Sequence, residues 1–292
     1  MRRVHPVPGS RVSSKGCEAM DGAVANHERS EPRRSVPFET SGGLILVGGD
    51  HGDPRGFALT RRLLNRLKPD LVLVELSPFG RSLRVRLQRS LLRTLSLNVS
   101  RASHDLRMNS RQAHLHPEIV RIRRQLCVPF EYRAARRHCS GTISKMILCD
   151  SSEFSRVCVA SWPGMISLSN VRSLLALPAG GLSRRGGYAT ARWALALDSA
   201  DRTEEATRLP GGWPASEWVR REQHLARMVQ GALHAIRPVN PVYLGGWRHL
   251  LTGRRFPTLR GILGVPSQRC LLLPDTATSE DKLRDPFPLQ SR

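Results

Sequence analysis

The 292-residue sequence predicts an α/β fold, with a central, mostly parallel sheet flanked by helices and a site at the carboxyl edge of the strands. Residues 44–47 (LILV) and 71–76 (LVLVEL) are short, continuous apolar runs, which is the pattern of strands buried on both faces. Between these runs, apolar residues recur at helical spacing: Phe57, Leu59, Leu63, Leu64 and Leu67. The order strand, helix, strand predicts two parallel strands joined by a right-handed crossover.

The remaining elements follow from the same kinds of signal. Asp53 is predicted to cap the first helix, with Pro54 at its first position. Residues 79–137 have a helical but Arg-rich pattern, which predicts one or two surface helices with a loop near residues 98–108. Further strands are predicted at 145–149, 242–244 and 269–273. Further helices are predicted at 168–177, 188–197 and 216–237, with a loop at 198–212.

One folded domain is predicted over residues 43–274, between two tails. Residues 1–40 are polar with scattered Pro, Ser and Gly, which predicts disorder, and residues 275–292 are predicted to be a loose tail. The N-terminal segment lacks the apolar stretch of a secretory signal, and no apolar run reaches the ~18 residues of a membrane-spanning helix. Six cysteines without a C-x-x-C pair predict reduced thiols and a cytoplasmic protein.

The chain is strongly basic, with a formal net charge of +22, and 42 of its 46 basic residues are arginines. Half of the excess falls in residues 81–137, which hold fourteen basic residues against three acidic ones. Such a block is able to bind nucleic acid or an anionic membrane surface. Only 5% of the residues are aromatic, which argues against stacking on single-stranded bases. For stretches such as residues 121–124, the alternative is a solvated helix face.

Two distant stretches share a Gly-x-x-His pattern directly after an apolar strand. They run from Gly48 to His51 and from Gly246 to His249. The glycines allow tight turns and the close approach of a cofactor. Glu75 ends the second predicted strand, so a parallel sheet brings all three ionisable side chains to the carboxyl edge, where open α/β sheets place their sites. Two histidines and a carboxylate are the ligand set of catalytic zinc and related divalent sites.

Each of these residues also has a structural interpretation, and the sequence leaves both open. His51 is able to brace its loop, with Asp50 and Asp53 beside it as oxygen ligands or as turn and cap residues. His249 is compatible with a buried histidine whose hydrogen bonds are satisfied. Glu75 is compatible with a structural ion pair to one of the many arginines.

Arg221 projects from the apolar face of the helix predicted at 216–237, close to its start. An inward arginine needs an anionic partner. Glu75 or Glu222 would make Arg221 structural; otherwise its planar guanidinium is available for a substrate carboxylate or phosphate. Asp150, which ends a predicted strand, is a further candidate, with an Asx turn as the alternative.

Other catalytic motifs are absent from the sequence. It has no glycine-rich phosphate loop, no dinucleotide-binding glycine pattern, no His-Glu-x-x-His and no Gly-x-Ser-x-Gly. Cys139 and Cys149 lack a dedicated histidine, which argues against a cysteine nucleophile.

Four stretches resemble the TraB/GumN-like family, which belongs with ChaN-like and erythromycin-esterase-like proteins in one superfamily. They are VGGDHGD at the first strand, RLKPDLVLVELSP at the second, RREQHLA at the late helix and YLGGWRHL near the end. The family's two Gly-x-x-His motifs, strand-end glutamate and late-helix arginine correspond here to His51, His249, Glu75 and Arg221. The resemblance, over residues 43–274, implies an α/β fold with a cleft at the strand ends. Its members include proposed metal-dependent peptidases or hydrolases, regulators of conjugation and haem-binding proteins.

The leading prediction is therefore a metal-dependent, hydrolase-like protein. In it, His51, Glu75 and His249 hold Mn, Co or Zn, with Glu75 and Arg221 as catalytic residues. Gly48 and Gly246 give the cofactor room, and the substrate is a small molecule or peptide with an anionic group. One alternative is a haem- or ligand-binding protein without turnover, in which a histidine is the axial ligand. The other is a nucleic-acid-binding adaptor that uses the arginines of residues 81–137.

Overall fold

Parallel strands form the central sheet of the computed structural model, which describes residues 43–178, 214–252, 256–276 and parts of 191–198. The strands are β1 (Ile45–Gly49), β2 (Leu71–Val74), β3 (Lys145–Leu148), β4 (Pro241–Gly246) and β5 (Cys270–Leu272). Their order across the sheet is β3-β2-β4-β1-β5, and every neighbouring pair is parallel. The predicted α/β class is confirmed.

Strands β1 and β2 are parallel, as predicted, but they are not neighbours, because β4 lies between them. Ile45 of β1 is opposite Val242 of β4, and Leu71 of β2 is opposite Pro241 of β4. Strand β2 is buried along its whole length, which explains its unbroken apolar sequence. The inserted strand brings its own Gly-x-x-His pattern between the first one and Glu75.

The described helices have the following bounds: α1 (Gly56–Leu67), α2 (Pro78–Asp105), α3 (Ser110–Leu115), α4 (Pro117–Leu126), α5 (Phe130–Cys139), α6 (Ser152–Ala160), α7 (Trp162–Met165), α8 (Leu168–Leu175), α9 (Ala215–Ile236) and α10 (Leu259–Leu263). Short 3-10 helices occupy Trp247–Leu250, Ser267–Arg269 and Leu273–Thr276. The strands and helices predicted at 145–149, 168–177, 216–237, 242–244 and 269–273 are each present, with shifted ends.

The start of α1 differs from the prediction. The helix begins at Gly56, and Asp53 is not its cap. The Asp53 carboxylate accepts a hydrogen bond from the Arg55 backbone N–H at 2.9 Å, and its carbonyl accepts one from the Gly56 N–H at 3.1 Å. Asp53 and Pro54 therefore form a turn that precedes the helix.

The Arg-rich segment forms four helices, where one or two surface helices were predicted. Helix α2 runs for 28 residues to Asp105, so it covers most of the predicted loop at 98–108, of which residues 106–108 are non-helical. Helices α3, α4 and α5 follow it. Leu95 and Val99 of α2 are buried with Ile122 of α4 and Trp162 of α7 in an apolar cluster of their own. Because exposed apolar residues such as Val85 and Leu97 lie on the same helix, the buried face does not stand out in a periodicity count.

Both faces of the sheet are covered, as a parallel sheet requires. Successive strand residues point to opposite faces. Leu71 and Leu73 pack in the cluster that contains Leu225 of α9, whereas Val72 packs in the cluster that contains Leu63 of α1. The strand ends are thereby held in place by two packed layers.

Several predictions fall outside the described residues. They are the tail at 1–40, most of the tail at 275–292, and parts of the helix at 188–197 and the loop at 198–212. In the described ranges, no helix is both long enough and apolar enough to cross a membrane.

Candidate functional site

Four ionisable residues follow four neighbouring strands at the same edge of the sheet. Asp150 follows β3, Glu75 follows β2, His249 lies in the 3-10 helix after β4, and His51 follows β1. Their order along the edge is the strand order itself. The carboxyl edge of the sheet therefore carries the predicted residues as one row, as open parallel sheets commonly do.

The Glu75 carboxylate is the centre of this row. Its Oε2 accepts a hydrogen bond from the Gly246 N–H at 2.5 Å and lies 3.0 Å from His249 Nε2 and 3.7 Å from His51 Nε2. Its Oε1 accepts a hydrogen bond from Arg221 Nη2. Because the Nε2 atoms of His51 and His249 both lie within 3.7 Å of the same carboxylate oxygen, the two Gly-x-x-His patterns meet in space.

A second carboxylate holds the other nitrogen of each histidine. His51 Nδ1 lies 2.6 Å from Glu131 Oε1, and His249 Nδ1 lies 2.8 Å from Glu222 Oε1. Glu222 also accepts a hydrogen bond from the Leu259 N–H at 2.6 Å. Because Nδ1 is engaged in both rings, both Nε2 atoms are directed to Glu75.

Arg221 pairs with Asp150 and Glu75, not with Glu222. It donates from Nε to Asp150 Oδ1 at 3.0 Å and from Nη2 to Asp150 Oδ2 at 2.9 Å, and its guanidinium lies 4.6 Å from the centre of the Phe154 ring. Asp150 Oδ1 also accepts a hydrogen bond from the Ser151 N–H at 2.8 Å, so both roles considered for Asp150 are present. Nε and Nη2 of Arg221 are therefore both bonded to carboxylates inside the protein.

The two histidines have different surroundings. The His249 side chain is 2% exposed; its ring stacks on Trp218 at 5.7 Å and meets the edge of Tyr243. The His51 side chain is 52% exposed. His249 is thus a buried histidine with satisfied hydrogen bonds and also a member of the site, whereas His51 is open to solvent.

The charges shift the pKa values of all three central groups. Desolvation lowers the pKa of His51, but the Glu131 and Glu75 carboxylates outweigh it and raise that pKa to about 9. At His249, desolvation also lowers the pKa, but the Glu222 and Glu75 carboxylates outweigh it and raise that pKa to about 10. Burial alone would raise the pKa of Glu75, but His249 and Arg221 hold it well below its usual range. Both rings are therefore imidazolium ions at neutral pH.

The glycines of the two patterns are packed differently. A Cβ on Gly246 would lie 3.1 Å from His51 Nε2, so the missing side chain leaves room beside the site. A Cβ on Gly48 would lie 2.7 Å from Trp247 Cα, so Gly48 is where the 3-10 helix packs on β1. Gly245 is closer to the site than either, because its Cβ would lie 2.6 Å from Glu75 Oε2.

A cleft of about 450 Å³ opens at this edge of the sheet. Its lining includes His51, Glu75, Asp150 and Arg221, together with Asp50, Arg84, Arg121 and Arg124. Arg121 forms an ion pair with Glu118 at 2.7 Å, and Arg124 donates a hydrogen bond to the Gly52 carbonyl in the loop of His51. The stretch 121–124 therefore is not only a solvated helix face, since part of it lines the site.

Glu131 is the site residue that the sequence did not indicate, and Glu222 was indicated in a different role. Glu131 belongs to the first turn of α5, after Pro129, where an acidic residue is also expected as a partner of the helix dipole. Glu222 is adjacent to Arg221 on α9, so the helix turns the two side chains toward different neighbours.

The donor set His51, Glu75 and His249 has the chemistry of a divalent site, but its donors are hydrogen-bonded to one another. Within the described ranges, no group of three or more His, Cys, Asp or Glu side chains is arranged around a position for a metal ion. Comparison with protein-family models, with curated proteins and with solved structures found no match for the chain.

Proposed function

We propose that the cleft is the catalytic site of a hydrolase-like protein that acts on a small molecule or peptide with an anionic group. The observation that carries the proposal is the convergence of His51, His249 and Arg221 on the Glu75 carboxylate beside an open cleft. These are also the four positions singled out by the resemblance to the TraB/GumN-like family, which supports the proposal from the sequence side.

The buried members of the site act as its frame. Arg221 and the Gly246 N–H fix both oxygens of Glu75, and Glu131 and Glu222 fix the two rings. Charged groups held in this way reorganise little when charge develops on a substrate, which is the main source of electrostatic catalysis.

In the metal-free form, His51 is the member that exchanges protons with the substrate, whereas with an ion bound its Nε2 would be a ligand and carry no proton. Its ring reaches the cleft, and its pKa of about 9 makes it an imidazolium ion at neutral pH. In that form Nε2–H donates a proton to a leaving group or stabilises a developing oxyanion. Glu131 keeps the ring oriented while this happens.

A divalent ion, Mn, Co or Zn, belongs to the proposal as the group that His51, Glu75 and His249 would hold. When bound, it supplies Lewis acidity and a water activated near neutral pH. The three side chains do not surround one position as they stand, so an ion would have to displace the hydrogen bonds between them. Three observations support this exchange. The donor atoms are 3.0 and 3.7 Å apart, close to the roughly 3–4 Å between ligands of one ion. The carboxylates on Nδ1 are the usual outer partners of metal-binding histidines. Finally, the two Nε2 protons carry the same charge as one divalent ion, so replacing both protons by the ion leaves the net charge of the site unchanged.

The test is hydrolysis by the metal-depleted full chain, with and without added Mn, Co or Zn, on esters and peptides with and without a carboxylate. We expect His51→Asn and Glu75→Gln to lower turnover at least 100-fold. His104→Asn is the matched control, because His104 is a solvent-exposed histidine on α2. Retention of full turnover by both site variants would contradict the proposal.

Haem binding and nucleic-acid binding are less well supported by the geometry. Both nitrogens of the His249 ring contact carboxylates, and His51 Nε2 is directed at Glu75, so an axial ligand to haem would first have to leave these partners. Many arginines of α2 are exposed, which is the observation in favour of a nucleic-acid adaptor. Such binding would weaken steeply with salt and would survive His51→Asn.

We also propose a cytoplasmic setting. It is supported by the free thiols of the described cysteines: Cys127, Cys139, Cys149, Cys158 and Cys270. Burial raises the pKa of Cys149 to about 12, so this thiol stays protonated and does not serve as a nucleophile.

A further inference from the structure

Arg84, on helix α2, is a cation of the cleft that the site does not use. Its guanidinium lies 5.0 Å from the centre of the Trp162 ring, and its Nη1 donates a hydrogen bond to the Gly80 carbonyl at 3.1 Å. Its Nε is buried, and no described group accepts a hydrogen bond from it. The side chain is thus held in place by an aromatic ring and a backbone carbonyl, with one of its donors unused.

The other arginines of the cleft have their charges compensated. Arg121 pairs with Glu118, and Arg221 pairs with Glu75 and Asp150. Arg124 is exposed to solvent. Asp150 is the carboxylate whose field acts on Arg84, but both of its oxygens already accept hydrogen bonds from Arg221.

Arg84 therefore differs from them in two respects. It is half-buried, and no carboxylate lies within ion-pair distance of it among the described residues. A guanidinium that is removed from water without a counter-ion is costly, and burial accordingly lowers the pKa of Arg84. Such a group is compensated when an oxyanion binds in the cleft beside it.

We propose that Arg84 is the residue that binds the anionic group of the substrate, a carboxylate or a phosphate. The inference rests on the proposed function, because it takes the cleft to be the substrate site. It gives Arg84 the anion-binding role that was considered for Arg221, because Arg221 is already paired with Glu75 and Asp150. The planar guanidinium, oriented by Trp162, suits the two-oxygen edge of either anion. Arg84 and His51 line the same cleft, so an anion bound at Arg84 lies in the cleft of His51.

The test is an NMR titration of the full chain with labelled arginine side chains, using sodium acetate and sodium phosphate separately at constant ionic strength. We expect a saturable shift of the Arg84 Nε signal with at least one of the two anions, which also tells a carboxylate site from a phosphate site. In Arg84→Gln this signal is lost, so the affinity of the variants is measured by calorimetric titration with the same anion, and Arg84→Gln should reduce it at least tenfold. Arg84→Lys keeps the charge without the planar fork and should bind with intermediate affinity. Arg89→Gln, an exposed arginine on the same helix, is the matched control and should bind like the wild type.

Two results would overturn the inference: no saturable shift with either anion in the wild type, or equal losses in Arg84→Gln and Arg89→Gln. If Arg84→Gln does not fold, as judged by circular dichroism, Arg84→Lys decides by the same criterion. Because the measurement needs no turnover, its failure is distinct from failure of the proposed function. His51→Asn should lower hydrolysis at least 100-fold but leave the affinity of the anion for Arg84 within about threefold of the wild type.

Discussion

Asp150 and Arg221 form a bidentate ion pair, with Nε donating to Oδ1 at 3.0 Å and Nη2 donating to Oδ2 at 2.9 Å. The same Nη2 holds Glu75, so the pair connects the end of β3 to the end of β2 through α9. A carboxylate that was a secondary candidate in the sequence thus sets the position of the central one.

Asp150→Asn should destabilise the protein by about 3 kcal/mol, because removing one partner of a buried ion pair leaves the other charge uncompensated. Glu75 still contacts Arg221 in this variant, which places the expected cost at the low end of the range. Urea unfolding measures the change. Asp105→Asn removes an exposed ion pair with Arg172 and should have a much smaller effect. Equal effects of the two substitutions would show that the buried pair has no special role.

Glu131→Gln should lower the pKa of His51 from about 9 toward the ordinary value of 6.5. The folded-state pKa is raised, so the stability from this pair is fully present below about pH 6.5 and is lost as the pH rises through 9. The stability difference between wild type and variant should therefore shrink between these values. NMR titration of the histidine rings and unfolding at pH 7 and pH 9.5 measure both effects. The His249 signal is the internal control, since its second carboxylate is Glu222.

Gly245→Ala should destabilise the protein by roughly 1–3 kcal/mol, the usual cost of overpacking. The new Cβ would lie 2.6 Å from Glu75 Oε2 and 2.6 Å from Tyr243 Cε1, so the central carboxylate has to move. Gly231→Ala is the matched control: it lies in α9 with no atom within 4 Å of the new Cβ, and it should stabilise the helix by roughly 0.5–1 kcal/mol. Thermal unfolding measures the two stabilities. A Tm that shifts in the same direction in both variants would contradict this reasoning.

The fold and half of the site could be predicted because their signals are local. Each of His51, Glu75 and His249 follows an apolar strand within a few residues, and parallel strands present their carboxyl ends at one edge. Arg221 was recognisable because a charge on the apolar face of a helix needs an explanation. These arguments use only neighbours in the sequence and one general property of sheets.

The rest depends on contacts between distant segments. Nothing near Glu131 in the sequence distinguishes it from a first-turn acid of an ordinary helix. Its contact with His51 depends on the packing of α5 with α1 and β1 in one apolar cluster. The position of β4 between β1 and β2 is likewise a long-range pairing. The length of α2 was hidden because its buried face includes small and polar residues, such as Gly80 and Ser103, while Val85 and Leu97 of the same helix are exposed.

Divalent-ion binding to the metal-depleted protein should release protons. Both Nε2 atoms are protonated at neutral pH, since the pKa values of His51 and His249 are about 9 and about 10, and a ligand nitrogen has to be deprotonated. The affinity for Mn, Co or Zn should therefore rise with pH up to these values. Calorimetric titration at pH 7 and pH 8.5, in buffers that differ in ionisation enthalpy, measures the affinity and the number of protons released.

His249→Gln should reduce this affinity at least tenfold, because it removes the deepest of the three donors while leaving an amide able to bond Glu222. His224→Gln is the control on α9, since His224 is only partly buried and does not line the cleft of His51. Stoichiometric binding without proton release, or binding that is equally strong in His249→Gln, would place the ion elsewhere. In that case the row of His51, Glu75 and His249 would act through its protons alone, and added metal would leave hydrolysis unchanged.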